Sequence, residues 1–87
     1  MGNNTEKTMT YANLIKNRIQ QKCDEKGYSI CHLAKLSDVK HSTLDNIMRG
    51  VTKNPGVISL QKIANTFNMT LAEFLDFDEL NNFSFDD

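Results

Sequence analysis

The sequence predicts an all-α domain of five helices, on three observations. Apolar residues recur at helical spacing along most of the chain. No stretch alternates convincingly at period two. Turn formers at Gly27, Ser37-Asp38, Gly50 and Pro55-Gly56 cut the periodic stretches into helix-sized pieces.

In the first helix, Leu14, Ile15, Ile19 and Cys23 trace one face, and Gly27 ends it as glycine ends helices. Ser29 is placed to cap a second helix that carries Ile30, Leu33 and Ala34 inward. After the break at Ser37-Asp38, a third helix presents Leu44, Ile47 and Met48 before Gly50 stops it. The stretch "VTKNPGVIS" reads as loop, because Pro55-Gly56 is a turn signal and Asn54 is pushed out of the helical region by the proline. Ser59 is expected to open the fourth helix, with Leu60, Ile63, Ala64 and Phe67 on one face. Thr70-Leu71-Ala72-Glu73 has the spacing of a capping box and starts a short fifth helix through Phe74 and Leu75.

Three segments follow: a polar, disordered lead over residues 1–10, the helical domain over 11–76, and an acidic tail over 77–87. Gly2 raises N-myristoylation, but Glu6 stands where that signal needs Ser or Thr. No apolar run approaches the ~20 residues that span a bilayer, and the start lacks the pattern of a secretory signal. A cytoplasmic protein is expected. Cys23 and Cys31 lie on periodic apolar stretches and not at metal-ligand spacing, so both are expected to be free, buried thiols. Nothing calls for a metal or cofactor.

The net charge of −1 conceals an asymmetry. Residues 1–75 hold ten Lys or Arg against six acids, a balance of +4, while residues 76–87 hold five acids and no base. The near-neutral total therefore leaves a nucleic-acid partner open, because the local patch decides.

The third helix starts awkwardly. Lys40 occupies the position where Ser, Thr, Asp or Asn would cap it, and its charge opposes the partial positive charge of a helix start. The polar residues His41, Ser42 and Thr43 follow at once. An anion facing that start would turn the repulsion into attraction. The link from Ser37 to Lys40 is so short that the second and third helices must cross steeply, as in a helix-turn-helix. In that geometry the second helix of the pair projects into a major groove.

The stretches "LAKLSDVKHSTLDNIMRG" and "NPGVISLQKIANTFNMTLAEFL" carry a family resemblance. Leu33-Ala34, Val39, Leu44, Ile47, Gly50, Leu60, Ile63-Ala64 and Leu71 fall at characteristic positions. The chain resembles, from about Leu14 to Leu75, the Cro/CI-type (lambda-repressor-like, XRE) helix-turn-helix domain of phage repressors and bacterial regulators. The resemblance implies a compact five-helix domain that binds double-stranded operator DNA, normally as a homodimer. It places base reading on His41, Ser42 and Asn46, with Thr43 beside them. The residue chemistry agrees: Asn suits bidentate pairing to adenine, Ser is tolerant, and His donates to guanine acceptors. Lys40, Ser29, Lys35, Arg49 and Lys53 are the candidate phosphate contacts. Asp45 and Arg49 are spaced to pair on one helix face.

Three departures from the family pattern stand out. Ile30 replaces a Gln that commonly braces the reading helix on a phosphate. Asp38 fills a turn position often held by Gly. Cys23 and Met48 replace an Arg and a Glu that commonly form a buried ion pair. Losing both charges together avoids stranding one, and the two apolar side chains are expected to meet in the core.

Two rival functions compete with this reading. Cys31-His32 with His41 nearby invites a catalytic story, but neighbours in a helix point about 100° apart and no acidic orienter lies at useful spacing. A protein-interaction module is the serious alternative. The acidic tail, with Phe77, Leu80, Phe83 and Phe85, would suit a partner protein, a second copy, or cover for the basic face. It would equally suit a simple extension of the core.

Overall fold

The computed structural model describes residues 10–84. The expectations for the leading segment, Gly2 and Glu6 among it, and for Phe85 concern residues outside that range, Thr10 excepted. Among the described residues six helices follow in order: α1 (Tyr11–Lys26), α2 (Ile30–Ser37), α3 (His41–Met48), α4 (Val57–Thr66), α5 (Leu71–Leu75) and α6 (Asp78–Asn81).

Each boundary has a local cause. Thr10 caps α1, its hydroxyl accepting from the Asn13 N–H at 3.1 Å. Gly27, at φ 72°, ends α1 in the left-handed conformation, and the Tyr28 N–H reaches back to the Cys23 carbonyl at 2.9 Å. Ser29 caps α2 by accepting from the His32 N–H at 3.0 Å. Thr70 and Glu73 form both hydrogen bonds of the capping box that starts α5. Asp38 takes the left-handed conformation at φ 62°, so the chain turns from α2 into α3 within three residues.

The core lies where these helices converge. Ile15, Ile19 and Cys23 of α1, Leu33 of α2, Leu44 and Ile47 of α3, Ile63 and Ala64 of α4, and Phe74 of α5 are all buried. Tyr28, Phe67 and Phe74 stack in sequence, with ring centroids 6.1 Å and 6.4 Å apart. Cys23 and Met48 belong to the same apolar cluster, Cys23 buried within it and Met48 half-buried against it. The packing α2 on α3, α2 on α4 and α1 on α3 fixes the helix-turn-helix pair from behind.

Two expectations are corrected. Ser59 does not open α4: Gly56 takes the cap position, Leu60 N–H bonds to its carbonyl at 3.0 Å, and Val57 and Ile58 are already helical. Pro55 sets the turn, and the helix begins as soon as the turn releases it. Cys31 is exposed, not buried, because it lies on the first turn of α2 away from the Leu33-Ala34 face. The five expected helices all form, and among the described residues a short sixth follows them in the tail. Leu80 is half-buried against the core, Phe77 lies under the Arg18 guanidinium, and Tyr11 meets Phe83 edge-on with centroids 5.9 Å apart.

Candidate nucleic-acid interface

α3 carries its polar residues on the side its core contacts leave open. Leu44 and Ile47 are buried, His41 and Ser42 are exposed, and Thr43 and Asn46 are half-buried. Lys40 stands at the cap position with no side-chain hydrogen bond to the first turn, and it is exposed. The start of α3 therefore presents backbone N–H groups that no cap satisfies, beside a lysine. Backbone donors and positive charge together suit a phosphate.

The loop after α3 is tied to it through the backbone. The Asn46 carbonyl accepts from the Val51 N–H at 2.9 Å and the Thr52 N–H at 3.2 Å. Gly50, at φ 78°, makes this reversal possible. Lys53 is thereby held close to the end of α3, and it is exposed. Arg49 pairs with Asp45 at 3.5 Å, as the spacing predicts. Both groups remain largely exposed, so water screens the pair and leaves Arg49 available to a stronger anion.

Among the remaining predicted contacts, Lys35 is exposed near the end of α2, while the Ser29 hydroxyl is occupied as the cap of the same helix. The Cys31 Sγ lies 3.3 Å from His41 Nε2, which brings the first turn of α2 against the first residue of α3. His32 instead meets Tyr28 edge-on, at 5.1 Å between centroids.

Two cations counted in the basic body do internal work. Lys62 on α4 donates to the Asp38 carbonyl at 3.4 Å, and its ammonium lies 3.9 Å from the Asp38 carboxylate, bracing the turn between α2 and α3. Arg18 on α1 donates to the Phe74 carbonyl at 2.8 Å and the Glu73 carbonyl at 3.2 Å, and lies 4.9 Å over the Phe77 ring. Neither role has a local sequence signal, because partners 24 and 56 residues apart meet only in the fold. The Cys31–His41 contact, between residues near in sequence, likewise arises only where α2 packs on α3.

A groove of about 620 Å³ between α1 and α6 is lined by Leu14, Asn17, Arg18, Gln21 and Phe77 with two acids of α6. Among the described residues no group of three or more His, Cys, Asp or Glu is placed to hold a metal ion. No helix there is long and apolar enough to cross a membrane.

Known proteins share this arrangement. A family described as helix-turn-helix matches residues 19–74. The HTH-type transcriptional regulator SinR of Bacillus subtilis is 35% identical over 63 residues, covering 72% of this chain and 57% of SinR. SlrR of the same organism, also an HTH-type transcriptional regulator, is 47% identical over 51 residues, covering 59% of this chain and 34% of SlrR. The chain thus matches between about a third and three fifths of the length of these relatives. Among solved structures, the N-terminal DNA-binding domain of SinR superposes with a TM-score of 0.68 at 34% identity, covering 75% of this chain and 94% of that one. A SinR/SinI complex gives 0.67 at 31% identity, over 82% of this chain and 68% of its own. The prophage Lp1 protein 11 gives 0.78 at 20% identity, over 87% of this chain and all of its own, a likeness of fold alone. On the length of the match, the capped helices and the turn at Asp38, the chain belongs to the helix-turn-helix family of Cro/CI (XRE) type.

Proposed function

We propose that the chain is a sequence-specific DNA-binding transcriptional regulator, a repressor of phage, plasmid or mobile-element type acting in the cytoplasm. The observation that carries this reading is the start of α3, where uncapped backbone donors and Lys40 adjoin the exposed His41 and Ser42. That SinR and SlrR are transcriptional regulators, and that a SinR domain so similar to this one binds DNA, supports it.

In the mechanism, α3 enters the major groove with its first turn leading. Asn46 and His41 read base edges, Ser42 and Thr43 add shorter contacts, and Leu44 and Ile47 anchor the helix from behind. Lys40, Lys35, Arg49 and Lys53 engage phosphates on either side, with Ser29 at the start of α2. These contacts set register and affinity while the bases set specificity. A homodimer would place two reading helices in adjacent major grooves ~34 Å apart. The chain needs no catalytic residue, metal or cofactor for this work.

A mobility shift with the DNA upstream of its own gene tests the reading. The native protein should retard a fragment that an Asn46→Ala, His41→Ala double variant binds at least ~30-fold more weakly, since each good base contact is worth about 1–3 kcal/mol. Equal binding by both would remove the site assignment.

A second reading, a protein-interaction module, is favoured by the likeness to a SinR/SinI complex and by the exposed apolar side chains of Leu36, Val51, Val57 and Ile58. The two readings separate by salt. Phosphate binding weakens steeply as salt rises, and an apolar protein interface does not.

A further inference from the structure

The exposed Cys31 has no part in the proposed DNA reading, yet it touches His41, the first residue of α3, which does. The Cys31 Sγ lies 3.3 Å from His41 Nε2, both side chains are exposed, and they bridge the starts of α2 and α3. The other thiol contrasts on every count. Cys23 is buried among Ile19, Leu33 and their neighbours, and burial, with the nearby Asp24 charge second, raises its pKa above the ordinary 9.0. One thiol is buried while the other faces solvent with an imidazole nitrogen in contact.

We propose that Cys31 and His41 form a thiol-exchange site for low-molecular-weight disulfides, set within the DNA-facing surface so that its occupation releases DNA. In the exchange, Cys31 Sγ attacks one sulfur of the small disulfide while His41 Nε2 takes the thiol proton. The new S–S bond forms as the old one breaks, and the departing thiolate recovers the proton from the imidazolium. One disulfide and one thiol are consumed, and one mixed disulfide and one thiol are formed, so no further oxidant is needed. Cys23 is buried and offers no accessible second thiol, so the adduct persists until an external thiol removes it. An adduct carrying carboxylates would cover His41 and bring negative charge to the start of α3, where the phosphates must lie.

The idea rests on the DNA-binding function proposed above, and its test separates the two. Glutathione disulfide serves as the probe, with the intact mass and peptide map of the full chain as the first readout. One adduct, on Cys31, is expected, forming at least about tenfold more slowly in His41→Gln. Equal rates in the two proteins, or an adduct on Cys23, would overturn the site whatever the protein does with DNA. The second readout is affinity for the retarded fragment. It should fall at least about tenfold on modification, recover with dithiothreitol, and stay unchanged in Cys31→Ser under the same treatment. Full affinity in the modified protein would overturn the regulatory role. Failure of the reduced protein to bind any DNA would instead remove the functional proposal and leave the rate comparison to decide the thiol site.

Discussion

Asp38 holds a φ of 62° in the tight turn between α2 and α3, a conformation that costs residues with a Cβ. Its carboxylate is almost wholly exposed and 3.9 Å from Lys62, so that contact contributes little. The carbonyl that Lys62 also touches would survive substitution. Asp38→Gly is therefore expected to stabilise the protein by about 0.5 kcal/mol, read as a higher urea midpoint. Cys23 behaves differently. Its raised pKa means that the folded state holds the thiol proton more tightly than the unfolded chain does. This contribution is fully present below the unfolded thiol's pKa and is lost as pH rises through the folded value. Between about pH 8 and pH 10 the native protein should lose more stability than Cys23→Ala, measured as the shift in urea midpoint of each. An equal loss would show that other groups govern the alkaline limb.

At the scale of elements, the short helices depend on partners far away in sequence. α5 has five residues, and the Glu73 and Phe74 carbonyls at its end are satisfied by Arg18. A cation at a helix C-terminus also meets the favourable end of the dipole. Arg18→Ala should cost about 1–3 kcal/mol, and Arg18→Lys should recover only part, since an ammonium lacks the planar fork whose Nε and Nη2 meet the two carbonyls. The faces of α1 to α5 were legible in the sequence because burial imposes the helical period on Leu14, Ile15, Ile19 and their counterparts. The start of α4 was not, because Ser59 is the better cap by residue type and only the turn at Pro55 favours Gly56. α6 was hidden because a single turn carrying Leu80 has no period to read. Of the candidate site, the exposed start of α3 and the Asp45–Arg49 pair followed from local spacing. The Lys62 brace and the Cys31–His41 contact are products of tertiary packing, and no local pattern announces them.

For the whole molecule, charge and shape divide the labour. Asp76, Asp78 and Glu79 gather at α6, which lies on α1, while the start of α3 is held out by its packing on α1 and α2. The salt dependence of DNA binding should reflect the phosphate contacts near α3, so Lys40→Ala is expected to weaken all sequences alike and reduce the log–log salt slope by about 1. Lys62→Ala should leave that slope unchanged, because Lys62 is turned to the Asp38 turn. The start of α3 is the surface proposed to meet the duplex. Amide shift perturbation on titrating 15N-labelled protein with the retarded fragment tests it most directly. The largest changes are expected at residues 40–46, with smaller ones at 29–35 and 49–53. Changes concentrated instead on the α1–α6 groove, with residues 40–46 unmoved, would contradict it.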